Sequence, residues 1–228
     1  MDIVTAHDRP STAAEAIEIQ ETLRGLVDRE DRCPQEIVTV TGLDVAYDEG
    51  GGLIAAAAVT LETAEFRVVE KRTVVSEVSF PYEPGLFAFR ELPSLLDALR
   101  ALDHTPDLLI CDGHGLAHPR RFGLACHVGV VTGLPTVGVG KTRFIGEHAE
   151  PGPERGARAP LMDGGEVVGA VLRTQDGVKP LYVSVGHKIS LDNACRQVLR
   201  LCPAFRQPET TRHADRLARD TLKEALVR

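Results

Sequence analysis

Leu108-Leu109-Ile110-Cys111-Asp112-Gly113-His114-Gly115 opens a stretch that continues Leu116-Ala117-His118-Pro119-Arg120-Arg121-Phe122-Gly123-Leu124-Ala125-Cys126-His127. Its first residues form a short apolar run, the pattern of a strand buried on both faces. A carboxylate, glycines, histidines and arginines then crowd together. An acid at the end of a buried strand costs free energy unless something pairs with it. Metal ions and catalysis are the usual reasons to keep one there. The rest of the chain is therefore read for partners of Asp112.

Upstream, residues 1–10 read as a lead-in. Ser11-Thr12-Ala13-Ala14-Glu15 is a capping box, and apolar residues at helical spacing follow, so a helix is expected over 12–30. Residues 37–47 are β-branched and apolar, and 48–52 form a turn. Strands over 53–61 and 66–78 complete an antiparallel meander with short turns. Pro81 and Pro84 keep 80–85 out of helix and central strand. A helix follows; Pro93 fits only its first turn, which sets the expected start near Leu92.

Beyond the 107–112 strand, Pro119 is well placed to open a helix over 119–132. A short buried strand is expected over 135–139 and a surface loop over 146–159. Residues 166–173 and 181–185 read as a hairpin pair, followed by helices over 191–202 and from Thr210 or Thr211 to 227. The expectation is one mixed α/β domain over 1–228, with no repeat or linker. A three-stranded antiparallel meander plus parallel strands, flanked by helices, is the ribonuclease H-like order.

Composition narrows the class. The chain has 228 residues, 43% hydrophobic and 26% charged, as in soluble globular proteins. No stretch approaches the roughly 18–20 apolar residues of a membrane span. The N-terminus lacks a basic-then-apolar signal pattern. The 5 cysteines are scattered without CxxC spacing, which disfavours thiolate zinc sites and a disulfide framework. A cytoplasmic monomer with no membrane contact is expected. A net charge of −7 argues against gripping nucleic acid by bulk electrostatics, but leaves metal-bridged phosphates open.

Several residues then stand out. Asp44 lies inside a strand between Leu43 and Val45. Alone it fits equally an inward-pointing charge on an edge strand. If its strand lies parallel to that of Asp112, two carboxylates share one sheet edge, and a divalent cation resolves their repulsion. Glu91, near the expected helix start, fits an acid favoured by the helix dipole at least as well as a ligand. His114, His118 and His127 allow a zinc pair only on a continuous helix, which Gly113, Gly115 and Pro119 oppose. His118, Arg120 and Arg121 better suit a phosphate-contacting cluster. Gly138-Val139-Gly140-Lys141-Thr142 lacks Walker A spacing, yet Lys141 just after a strand can reach a phosphate. Tyr82 between prolines can wedge between bases. Asp215 supplies a fourth carboxylate on the last helix, where a solvated acid is the ordinary case.

In this order, Gly42-Leu43-Asp44-Val45-Ala46-Tyr47, Pro81-Tyr82-Glu83-Pro84-Gly85, Phe89-Arg90-Glu91, Asp112-Gly113-His114-Gly115 through His118-Pro119-Arg120, Gly138-Val139-Gly140-Lys141, Pro160-Leu161-Met162, Gly186-His187 and Thr211-Arg212-His213-Ala214-Asp215 resemble the endonuclease V family of deoxyinosine-directed repair nucleases. The resemblance spans about 42–215. It implies that Asp44, Glu91 and Asp112 hold Mg²⁺, with Mn²⁺ as substitute. Lys141 would contact the scissile region, and Asp215 or the neighbouring His213 would fill a fourth catalytic position. Tyr82 matches a wedge tyrosine. Gly85, Phe87, Gly113, Gly123 and Leu124 match a base pocket, with Pro84, His118 and Arg120 beside it on the DNA-binding side. The implied reaction cuts the second phosphodiester bond 3′ to the lesion by metal-activated water, leaving 3′-hydroxyl and 5′-phosphate ends. DNA containing deoxyinosine is the expected partner. An inosine-specific ribonuclease and a catalytically silent nucleic-acid-binding protein are the alternatives. Two departures stand out: Glu83 adds a negative charge to the wedge loop, and Gly140 replaces a common alanine, which is expected to loosen Lys141.

Overall fold

The computed structural model describes residues 7–50 and 52–227. Residues 1–6 of the expected lead-in, Gly51 of the expected turn and Arg228 lie outside the described residues. Among the described residues eight strands form: β1 (Thr39–Tyr47), β2 (Leu53–Glu62), β3 (Arg67–Glu77), β4 (Leu108–Asp112), β5 (Thr136–Gly140), β6 (Arg158–Asp163), β7 (Glu166–Leu172) and β8 (Leu181–His187). The helices are α1 (Ala13–Leu23), α2 (Phe87–Arg100), α3 (Leu124–Thr132), α4 (Leu191–Arg200) and α5 (Glu209–Val227).

All eight strands join one sheet in the order β3-β2-β1-β4-β5-β8-β7-β6. The meander is antiparallel, β1–β4 and β4–β5 are parallel, and β5 to β8 turns antiparallel again. This is the mixed ribonuclease H-like sheet expected from the sequence. Alternation along β4 sends Leu108 and Ile110 into one core cluster and Leu109 and Cys111 into another. A strand buried on both faces therefore ends at Asp112.

The alanine run of β2 lets helices close on both faces. Ala56 and Ala58 meet Leu92, Leu95 and Leu99 of α2, while Ala57 meets Ala214 and Ala218 of α5. At Gly42 a Cβ would come within 2.3 Å of the Thr210 carbonyl carbon, so only glycine lets the start of α5 sit on β1. That contact brings the segment carrying Asp215 toward the strand carrying Asp44.

Three local expectations are corrected. The helix bearing Glu91 begins at Phe87, not near Leu92, and Pro93 sits inside it. Proline removes one helical hydrogen bond and crowds the preceding turn; burial of Phe89, Leu92, Leu95, Leu96 and Leu99 outweighs that cost. The helix expected from Pro119 begins only at Leu124, because Arg121 takes a left-handed φ of 57° and the chain folds back, with Gly123 N–H on the Gly115 carbonyl at 3.0 Å. The expected loop over 146–159 runs into β6, whose Pro160 is tolerated because β6 is an edge strand. Thr12 does cap α1, its side chain accepting from the Glu15 N–H.

Candidate active site

Parallel pairing sets Leu43 level with Cys111, so the next rung carries Asp44 and Asp112 side by side. Asp44 Oδ1 accepts the Val45 N–H at 2.8 Å, while its Oδ2 is buried with no hydrogen-bond partner. Burial, and next the charge of Asp112, push the Asp44 carboxyl up to about 8, against the pull of Lys141.

Glu91 enters from the α2 layer. It is 3% exposed, and no acid occupies the first turn of α2. The helix-dipole account of Glu91 is thereby excluded: it sits on the second turn, inside the protein. Burial first, then the charge of Asp44, raise its carboxyl well above the ordinary range, opposed by a hydrogen bond from the Tyr47 hydroxyl at 3.1 Å.

Lys141 follows β5 and places its ammonium on Asp112. Burial works against the charged amine, but Asp112, Asp44 and Asp215 outweigh it and hold the lysine protonated. Its backbone is also fixed: Arg206 Nη2 donates to the Lys141 carbonyl at 2.8 Å and to the Pro180 carbonyl at 2.9 Å. The expected loosening by Gly140 is not what the structure shows. A Cβ there would meet His114 Cε1 at 2.3 Å, so glycine makes room for that imidazole. Asp215 pairs with Arg219 at 2.8 Å and its charge acts on Lys141. His213 instead lines a separate groove with Val68, Lys71 and His104.

Among the described residues, no three acid, imidazole or thiolate side chains stand ready as a cation cage. The donor chemistry nonetheless fits a hard divalent ion. The donors are carboxylate oxygens, one of them an orphaned buried Oδ2, held where their charges repel.

Beside this cluster lies a cavity of about 340 Å³. Tyr82, Pro84, Gly85, Phe87, Gly113, His118, Gly123 and Leu124 all line it. Eight residues separated in sequence thus line one cavity. Tyr82 is 70% exposed at its rim. The loop behind it is pinned at Gly85, whose carbonyl accepts from Gln20 Nε2 at 3.1 Å, Arg120 Nη2 at 2.7 Å and His118 Nε2 at 2.9 Å. Burial, then the Arg120 charge, push His118 down to about 4, so its ring is neutral.

These contacts replace the phosphate-cluster reading of His118, Arg120 and Arg121. Arg120 braces the Tyr82 loop, and Arg121 pairs with Asp163 at 2.7 Å and Glu166 at 2.9 Å. The acids that absorb the Arg121 charge lie more than forty residues away in sequence.

The family model for endonuclease V matches residues 21–216. The chain belongs to the endonuclease V family. Endonuclease V of Nocardia farcinica is 56% identical over 216 residues, covering 95% of each chain. The crystal structure of endonuclease V from Streptomyces avermitilis shares 52% identity and superposes with a TM-score of 0.92, covering 99% of this chain and 100% of that chain. Endonuclease V of Ciona intestinalis, solved with a 24mer DNA containing an inosine followed by a ribo-adenosine, is 29% identical with a TM-score of 0.80, covering 93% of this chain and 98% of that chain.

One wall of the cavity, Thr142, Arg143 and Phe144, is not among the residues expected from the sequence. Phe144 is 43% exposed, and its ring stacks with His114 at 5.9 Å between centroids. An apolar aromatic three residues past Lys141 is the available signal. No helix among the described residues is long and apolar enough to cross a membrane.

Proposed function

We propose that this nuclease is a DNA repair endonuclease that recognises deoxyinosine and hydrolyses the second phosphodiester bond 3′ to it, leaving 3′-hydroxyl and 5′-phosphate ends. The observation that carries the reading is the junction at Asp112-Gly113. Asp112 belongs to the acid cluster, and Gly113, the next residue, lines the cavity. One short segment thus touches both a cutting centre and a base-reading site. The inosine-containing DNA held by the Ciona relative supports hypoxanthine as the base.

Asp44, Glu91 and Asp112 are assigned to hold Mg²⁺, with Mn²⁺ as substitute. Such an ion, when bound, supplies Lewis-acid activation of the attacking water and neutralises charge on the phosphate. Lys141, kept protonated beside Asp112, offers a positive charge to the phosphate and the departing oxygen. Asp215 helps to hold that ammonium in place. Tyr82 fills the gap left in the stack, and the cavity takes the extruded base, a cost of a few kcal/mol that is smaller for a mispaired lesion. Neutral His118 and the main chain at Gly85, Gly113 and Gly123 read the base edge. Arg120 acts through Gly85 by fixing the wedge loop. The enzyme is assigned to the cytoplasm as a monomer.

The test is a nicking assay on matched DNA and RNA oligonucleotides carrying one inosine, with and without Mg²⁺. Mg²⁺-dependent nicking of the DNA strand is expected. Preference for the RNA strand would make the protein an inosine ribonuclease. Tight binding without cutting would make it a silent binder.

A further inference from the structure

Glu91 is the acid of the cluster that comes from a helix rather than from the sheet, so its carboxylate needs something to orient it. The Tyr47 hydroxyl donates to Glu91 Oε1 at 3.1 Å. Tyr47 is the last residue of β1, on the same strand as Asp44. It shares the alternation of Leu43 and Val45, which pack toward α2. Its ring is held in turn: the Arg90 guanidinium carbon lies 4.9 Å from the ring centroid, and Arg90 Nη1 donates to the Phe80 carbonyl at 3.1 Å. The phenol is therefore fixed at both ends, by its strand and by Arg90, and only its hydroxyl reaches the acid cluster.

We infer that Tyr47 is a positioning residue that locks the Glu91 carboxylate for the divalent cation, and that it sets how tightly the cation is held. The inference rests on the proposed assignment of Glu91 as a cation ligand. A phenol suits this task because it donates one hydrogen bond and adds no charge that would compete for the carboxylate. Outer-shell partners of ligating carboxylates commonly act in this way.

Tyr47→Phe keeps the ring and its face contact with Arg90 and removes the hydroxyl, which donates to Glu91 and accepts from Arg90. Mn²⁺ binding measured by calorimetry should weaken by about tenfold, the lower end for loss of an outer-shell hydrogen bond. The Mg²⁺ concentration for half-maximal nicking should rise by the same factor. The melting temperature without metal should stay close to wild type. Mn²⁺ affinity equal to wild type would overturn the inference. If Tyr47→Phe melts early without metal, the rise in melting temperature on adding Mn²⁺ decides: a rise smaller than that of wild type supports the role, and an undiminished rise overturns it. Wild type that binds Mn²⁺ but nicks no inosine strand would fell the cleavage assignment and leave this one standing. Wild type that binds no Mn²⁺ would fell this one.

Discussion

Two groups of carboxylates in this protein are held in opposite ways. Asp163 and Glu166 flank the β6–β7 turn on the surface, and Arg121 reaches both, at 2.7 Å and 2.9 Å. Arg121, with Arg29, holds the Glu166 carboxyl below its ordinary range. Asp44, Glu91 and Asp112 converge inside the protein, where burial and mutual repulsion push Asp44 up to about 8 and Glu91 well above its ordinary value. The first group is closed by protein cations. The second retains an orphaned buried oxygen on Asp44, with Lys141 paired to Asp112 and the Arg90 charge acting on Glu91. Structure tolerates the first arrangement for cohesion and the second for function.

The largest effect should come from breaking the second group. Asp44→Asn keeps the shape and hydrogen-bonding reach while removing a charge that the neighbouring acids oppose. Nicking should fall by on the order of 10³-fold, the scale of losing an electrostatic element of a phosphoryl-transfer site. The metal-free protein should melt at an equal or higher temperature, by roughly 2–4 °C for 1 kcal/mol of relieved repulsion in a chain of this size. Calorimetry with parallel nicking rates checks both. A variant that loses activity and melts far below wild type would mean that Asp44 is structural.

Part of this contrast was legible in the sequence. A carboxylate flanked by Leu43 and Val45, and another closing an apolar run at Asp112, are both misplaced for folding alone, and parallel pairing of their strands makes them neighbours. Glu91 was harder to read. Pro93 reads as first-turn, which puts Glu91 in a dipole-favoured position; only packing against the β2 alanines shows that the helix runs through the proline. The roles of Arg120 and Arg121 were hidden for a different reason. Their partners, Gly85, Gln20, Asp163 and Glu166, are remote in sequence, and charge pattern carries no register between distant segments. Phe144 was missed because one aromatic after a strand has no periodicity to read.

The lesson concerns burial, and a buried base tests it as well as buried acids do. His127 is 0% exposed and its Nδ1 has no partner; its Nε2 meets His7 Nε2 at 2.7 Å. Burial, then the nearness of His7, push it down to about 3. Above the ordinary value of 6.5 both folded and unfolded states carry it neutral, so it contributes no slope. As pH falls below 6.5 the unfolded chain takes up a proton that the folded one refuses, and stability drops by about 1.4 kcal/mol per pH unit until pH approaches 3. His118, held down to about 4, adds a limb of the same sign. The raised carboxyls of Asp44 and Glu91 slope the opposite way over the same range, because the folded state is the one that binds their protons, so the difference between two proteins carries the test. Urea midpoints between pH 7 and 4 should fall more steeply with acid in wild type than in His127→Gln, and identical pH dependence in the two would contradict the burial account of His127.

A smaller effect belongs to the rim of the cavity. Tyr82 is 70% exposed, so truncating it removes little folding energy. Tyr82→Ala should weaken binding to an inosine-containing duplex by about tenfold, the lower range for one lost aromatic contact with a base. Mn²⁺ binding should not change, because Gly85, not Tyr82, anchors the loop. Equal affinity for inosine-containing and normal duplexes in both proteins would remove the wedge role.

The smallest effect should come from opening the surface group. In Glu166→Gln the amide oxygen can still accept from Arg121, and Arg121 keeps Asp163 at 2.7 Å and the His118 carbonyl at 3.0 Å. Arg29, whose side chain is half exposed, loses a pair already shared with water. Exposed pairs of this kind contribute about 0–1 kcal/mol, so the melting temperature should shift by no more than roughly 2–4 °C, and less still at high salt. The sign with pH is opposite to that expected for a buried, repelled acid. Because Glu166 is held below its ordinary 4.5, its contribution is present above that value and fades as pH falls, so wild type and Glu166→Gln should converge in acid. A loss of several kcal/mol, or of nicking activity, would show that the Arg121 network reaches through His118 into the cavity, and the two carboxylate groups would then be one coupled system.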